Sequence, residues 1–290
     1  MQTLQNGRVT VLIDPDRGLT VRSLRIDGRE CMATVAWEQD EPAERSTPEH
    51  WVRAWAGGWQ PTLPNAGYAA PNAVVPQGYH GEASQQPWTV TGHDDQVITA
   101  TWRDAGPLEV ERQFVLQDDG LLMRCAATNQ AAQPRPMVIT EHLVLGSDLL
   151  AGGASVEAPG ATVYPLSPDQ EQLAGSPWPG VDEPDWSVAR AGESPARCAA
   201  VTAPIDGVVV HSGPAAVRLT WDSTALPYFW LWQELAANPD PPWDGKTLAL
   251  GVEPSTTPHG QGLDVAAPAG ECAVIAPGAS LSWWIRITAA

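Results

Sequence analysis

Lysine is almost missing from this chain: Lys246 is the only one in 290 residues. With 16 basic residues against 34 acidic ones, the formal net charge is −18. A surface of that sign repels phosphate backbones and anionic membranes, so no nucleic-acid or membrane partner is expected, and a multiply phosphorylated substrate is disfavoured. Apolar runs are short, and none approaches the ~20 residues of a membrane-spanning helix. The first residues, Met1 to Asn6, have neither the basic head nor the apolar core of a secretion signal, so the expected location is the cytoplasm. Cys31, Cys125, Cys198 and Cys272 are widely spaced and form no CxxC pair. Reduced thiols are expected of them, not disulfides or a thiolate metal site.

Long helical patterns are missing as well. The 28 prolines and 26 glycines punctuate the chain too often for them. What recurs is strand-like alternation. It predicts strands over 9–13, 19–26, 97–102, 108–116, 121–127, 137–145, 207–211, 216–220, 228–234, 247–252 and 281–288. The segment Gln117-Asp118-Asp119-Gly120 reads as a hairpin turn. Two stretches look irregular, 39–50 and 167–194. The tryptophans Trp178 and Trp186 in the second favour a packed loop over a linker. No repeat or break in composition divides the chain. The expected fold class is all-β, a sandwich of mostly antiparallel strands with long connecting loops, forming a single domain over residues 1–290. A chain this long can bury about 75% of its unfolded surface and needs no disulfide or metal staple.

Phenylalanine is scarce, with two residues against 14 tryptophans. Indole combines a broad apolar face with one N–H donor, which suits the apolar face of a pyranose. Core packing accounts for most tryptophans in most proteins, and Trp283 and Trp284 in the last strand read that way. Trp59, Trp88, Trp230, Trp232 and Trp243 instead lie near residues able to do chemistry. Those residues fall in five segments. The first, Gly57 to Gly67, is a glycine-proline turn region containing Asn65. The second, Gly78-Tyr79-His80-Gly81-Glu82, sets an imidazole beside a glycine, with Pro87-Trp88 following. A lone histidine is more often a hydrogen-bonded structural residue, so this segment needs company. The third, Thr140-Glu141-His142-Leu143, lies in a strand pattern. The fourth, 228–234, alternates Tyr228, Trp230, Trp232 and Glu234 on one face with Phe229, Leu231 and Gln233 on the other. The fifth is Gly251-Val252-Glu253-Pro254, where a carboxylate ends an apolar strand and can sit half-buried with a raised pKa.

In this order and spacing, the segments resemble the aldose 1-epimerase (galactose mutarotase-like) family, in its bacterial, incompletely characterised branch. The likeness extends from the first strands to about Leu263. It implies a galactose mutarotase-like β-supersandwich with a sugar cleft across one sheet, acting on a free aldose without metal or other cofactor. By that resemblance Glu253 is the general base at the anomeric hydroxyl and His142 the general acid at the ring oxygen. His80, Asn65, Trp59, Glu82, Trp232 and Gln233 are the expected substrate-binding residues. Attraction between Glu253 and His142 is expected to keep Glu253 ionised and His142 at least partly protonated.

Two departures stand out. No arginine follows Asn65 before Arg103, and the family's sugar-binding aspartate has no convincing match. Asp222 is nearest in order, and Gln233 or Glu234 are the candidates to replace it. The alternative function is a non-catalytic carbohydrate-binding protein using the same cleft; retention of an acid–base pair favours the enzyme. A metal at His80 and Glu82 lacks a second cluster of ligands. The sequence leaves the oligomeric state open, a homodimer included.

Overall fold

The computed structural model of the chain describes residues 1–180, 185–192, 195–204 and 207–290. Two large sheets carry the fold. The first runs Gln2–Gln5, Val9–Asp14, Thr20–Ile26, Trp59–Thr62, Thr140–Leu145, Leu248–Ser255, Tyr228–Leu235, Arg197–Thr202, Thr162–Pro165 and Ser176–Pro177, with Arg29–Glu30 on the side of Thr20–Ile26. The second runs Val188–Ala189, Ala154–Glu157, Val208–Ser212, Ala215–Trp221, Ser280–Ala289, Gly120–Asn129, Leu108–Gln117, Val97–Arg103 and Thr89–His93. The central pairings of both are antiparallel. The expected all-β sandwich is therefore present, and the hairpin at Gln117–Gly120 forms as read.

The core lies between the sheets. Ile13, Trp59, Leu143 and Leu231 from the first pack against Phe114, Met123, Trp283 and Ile285 from the second. Within this apolar layer Arg112 and Glu141 form a fully buried ion pair at 2.7 Å. Glu141 also accepts from the indole N–H groups of Trp59 and Trp283, each at 2.9 Å. A buried charge is tolerable only when paired and hydrogen-bonded in this way. Trp283 is thus a core residue as expected, whereas Trp284 is 38% exposed on the outer surface.

Three local expectations change. The predicted strand over 137–145 is two strands. Arg135–Met137 pairs with Ala273–Ile275, and Thr140–Leu145 belongs to the first sheet. Between them the Val138 N–H donates to the Pro64 carbonyl and the Ile139 N–H to Thr256 Oγ1, so the chain changes sheets there. The glycine-proline segment over 57–67 contains the strand Trp59–Thr62, which sits beside Thr140–Leu145 with Pro61 opposite Glu141. The irregular stretch over 39–50 ends in a helix, Pro48–Ala54. Thr47 caps it by accepting from the His50 N–H, Pro48 starts it, Glu49 lies in its first turn and Arg53 in its last. In the other irregular stretch, residues 181–184 and 193–194 lie outside the described residues; Trp186 packs into the core and Trp178 against it. Cys31, Cys125, Cys198 and Cys272 are free thiols. Among the described residues no helix is long and apolar enough to cross a membrane.

Candidate active site

The centre of the first sheet is buried on both faces. One faces the second sheet and the other is roofed by loops and the Pro48–Ala54 helix. Alternation along Thr140–Leu145 sends Glu141 into the inter-sheet core and His142 to the roofed face. The register of the neighbouring strand pairs Val144 with Gly251 and Thr140 with Ser255, which sets His142 opposite Glu253. The next strand places Trp230 beside Glu253 and Trp232 beside Gly251. The one after it places Cys198 beside Trp232. A row of side chains from distant parts of the sequence is thereby fixed on one face by strand pairing alone.

His142 Nε2 lies 4.0 Å from Glu253 Oε1. Space for the carboxylate comes from Gly251, two residues back on the same face. A Cβ on Gly251 would lie 2.1 Å from Glu253 Oε1 and 3.1 Å from Trp232 Cβ. His80 reaches the pair from a loop. Its backbone N–H donates to the Gly67 carbonyl at 3.0 Å and its Nδ1 accepts from the Gly67 N–H at 3.1 Å. An accepting Nδ1 fixes the neutral tautomer with the proton on Nε2. Its ring centre lies 5.6 Å from that of His142. The turn that delivers His80 needs glycine next to it: at φ +72, a Cβ on Gly81 would lie 2.5 Å from the Leu63 carbonyl oxygen.

Around these groups is a cavity of about 490 Å³, within the usual range for small-molecule sites. Five indoles wall it: Trp51, Trp55, Trp230, Trp232 and Trp243. Tyr79 lies on the His80 side, and Ser167, Gln170, Arg197 and Cys198 line the remaining wall. Trp51 lies 5.2 Å and Trp55 5.6 Å from the His142 ring, both edge-on.

Burial governs the charges. It pushes the Glu253 carboxyl well above the usual carboxylate range and His142 down to about 3, against a small opposing effect from the His142 backbone. His80 is driven well below its ordinary value by burial and then by His142. The Cys198 thiol and the Tyr79 phenol are raised by burial, with Glu253 adding to both, so neither is an anion. The expected ionised carboxylate and imidazolium are therefore not the state that the empty cavity favours. Desolvation outweighs their attraction and leaves a net-neutral pair holding one proton.

Of the sequence-predicted site residues, His142, Glu253, His80 and Trp232 line the cavity, as do Trp230 and Trp243. The other four do not. Trp59 is in the inter-sheet core, bonded to Glu141. Asn65 is fully buried and fully used, donating to the Tyr68 and Gly78 carbonyls and accepting from the Leu263 N–H. Glu82 Oε1 accepts from the Arg45 and Gly78 N–H groups, so this side chain shapes the loop carrying His80. Gln233 is on the face opposite Trp232, accepting from Arg197 Nε and donating to the Trp186 carbonyl. Nor does the replacement for the family aspartate lie at Glu234 or Asp222. Glu234 caps a turn through the Ala237 and Asn238 N–H groups, and Asp222 does the same for Thr224 and Ala225. Trp88 stacks on Trp102 away from the cavity. Trp51, Trp55, Tyr79 and Cys198 were not anticipated. Thr47-Pro48 followed by tryptophans four apart was the readable signal for the first two. His259, another histidine near Glu253 in sequence, is bound to Glu271 at 3.1 Å outside the cavity. Among the described residues no group of three or more His, Cys, Asp or Glu is arranged to hold a metal.

The two stacked sheets have the fold of galactose mutarotase-like proteins. The Slr1438 protein of Synechocystis sp. PCC 6803 superposes with a TM-score of 0.73 at 17% identity, covering 100% of this chain and 95% of that one. A galactose mutarotase-like protein of Lactobacillus casei ATCC 334 gives 0.70 at 16% identity, covering 100% of both chains. One from Clostridium acetobutylicum gives 0.70 at 13%, covering 99% of this chain and 94% of that one. At such identities the likeness is one of fold. By sequence the chain belongs to the family described as a domain of unknown function, DUF4432, whose model matches residues 1–289. No curated protein matches the chain.

Proposed function

We propose that this protein is an aldose 1-epimerase, interconverting the α and β anomers of a free aldose by general acid–base catalysis. The observation that carries this reading is the His142–Glu253 pair, 4.0 Å apart at the base of an indole-walled cavity. The anomeric oxygen and the ring oxygen of an aldose are bonded to the same carbon. An acid and a base acting on them must therefore converge on one point, and these two do.

In ring opening, Glu253 takes the proton of the anomeric hydroxyl while His142 delivers one to the ring oxygen. The C1–ring oxygen bond breaks, leaving an aldehyde at C1 and a hydroxyl on C5. Rotation about C1–C2 presents the other aldehyde face. Reclosure reverses both transfers, Glu253 giving its proton back and His142 taking one. The open-chain stage thus coincides with protonated Glu253 and neutral His142, the charge state that burial favours. His80 donates from Nε2 to a sugar oxygen. Positioned acid–base groups of this kind typically contribute ~10²–10⁴-fold each.

The test is anomer exchange by NMR or polarimetry over a panel of aldoses, with Glu253→Gln as the control. The expected result is acceleration by the native protein, largely lost in the variant, with sugar binding retained. Binding without exchange in the native protein would replace the enzyme reading with that of a carbohydrate-binding protein.

A further inference from the structure

Resting on the mutarotase reading, we propose that the site selects neutral sugars bearing a methyl group at C5 in place of a hydroxymethyl, that is, 6-deoxyaldohexoses. His142 acts at the ring oxygen, and C5 is bonded directly to that oxygen. The substituent on C5 therefore lies beside the His142 ring. Three of the four rings around His142 are indoles, Trp51 at 5.2 Å, Trp55 at 5.6 Å and Trp232 at 6.1 Å; the fourth is the His80 imidazole at 5.6 Å. Two of these three present only carbon. The Trp51 N–H is committed to Ser84 Oγ at 3.0 Å, and the Trp55 N–H is buried away from any accessible surface. With His80 Nε2 engaged by another sugar oxygen, a hydroxyl on C6 set against Trp51 and Trp55 gives up its water without gaining a partner, whereas a methyl group there loses nothing and gains contact.

The same wall disfavours charge. Arg197, the one cationic side chain among the described residues lining the cavity, is engaged elsewhere. Its Nε donates to Gln233, its Nη2 to the Asp185 carbonyl, and its guanidinium lies 4.5 Å over Trp186. A phosphate or carboxylate at C6 would share the cavity with Glu253 and meet indoles.

The test uses sugars matched in every centre except the C6 hydroxyl: D-fucose with D-galactose, 6-deoxy-D-glucose with D-glucose, L-fucose with L-galactose, and L-rhamnose with L-mannose. Anomer exchange by NMR gives kcat/KM for each, and tryptophan fluorescence with Glu253→Gln gives affinity. An apolar pocket rejects an added hydroxyl by at most ~10²-fold, so the accepted pair should favour its 6-deoxy member by about 10–100-fold. D-Glucose 6-phosphate should be inert. Trp232→Gln, at a half-buried position, should narrow the ratio by restoring a partner for the hydroxyl. Equal or faster exchange of the parent hexoses would overturn the proposal and leave the mutarotase reading standing, and so would a pentose outpacing both. Tighter binding of the 6-deoxy sugars with no exchange of any sugar would remove the mutarotase reading and keep the pocket's preference. No exchange and no binding preference would sink both.

Discussion

Gly251→Ala is the sharpest available perturbation of the acid–base pair, because the mutated residue carries no functional group. Gly251 lies in the regular strand Leu248–Ser255, so its backbone accepts alanine. The obstacle is the new methyl group, 2.1 Å from Glu253 Oε1 and 3.1 Å from Trp232 Cβ. The first contact is far inside van der Waals distance and the second keeps the methyl group from relieving it by moving toward Trp232, so the carboxyl group must rotate away. A carboxyl displaced by an ångström or more no longer meets the anomeric hydroxyl at the ~2.6–3.2 Å needed for proton transfer. The expected loss in kcat/KM is ~10²–10⁴-fold, the full contribution of a positioned base. Overpacking adds a stability cost of about 1–3 kcal/mol, which leaves a chain of this size folded at 25 °C. Anomer exchange measures the rate and urea denaturation the stability, with Gly7→Ala as the control, since nothing lies within 4 Å of a Cβ there. Native rates in a folded Gly251→Ala protein would refute the placement of Glu253 as the base.

The acid limb of the pH profile should lie unusually low. Catalysis needs the pair to hold one proton. Burial resists both a second proton, which would charge His142, and loss of the first, which would charge Glu253. The one-proton window therefore runs from about 3, the depressed value for His142, up to a Glu253 value well above 4.5. An unperturbed pair would span about 4.3 to 6.5. An acid limb at or above that ordinary lower limit would show that the pair is solvated. Glu141→Gln should destabilise the fold by about 3–5 kcal/mol in urea denaturation, because Arg112 is left charged and unpaired in the core. A loss below 1 kcal/mol would show that water reaches Arg112. Asn65→Ala should weaken catalysis indirectly by freeing the turn that holds Gly67 and His80. The reduced kcat should come with higher amide exchange at Gly67, and unchanged exchange there would refute the coupling.

Much of the fold was legible because alternation is a local property. The strands over 97–102, 108–116 and 121–127 appear within a residue or two of their expected limits, since one face of the second sheet meets solvent and the polar residues mark it. The site was legible only in part, for the opposite reason. Thr140–Leu145 is buried at every position, and Leu248–Ser255 at all but the first. When both faces are covered, side-chain polarity no longer tells which face is the core. Trp59 and Trp232 look equally suited to a sugar, yet one closes the inter-sheet layer on Glu141 and the other walls the cavity. Gln233 fails for the same reason, being one residue, and so one face, away from Trp232. Asn65 and Glu82 mislead differently. Both stand near cavity-lining residues in sequence, but each spends its polar atoms on backbone groups of the loops that aim His80. A polar residue near a cleft thus divides between two tasks, binding a ligand or holding the loop that does, and hydrogen-bond capacity separates them. Asn65 makes three bonds to backbone and has little left to offer, whereas His80 keeps Nε2 and His142 keeps the nitrogen facing Glu253. Spare capacity alone does not mark a site, since Trp55 Nε1 and Thr257 Oγ1 are also buried without a partner; His80 and His142 combine it with titratable rings that line the cavity.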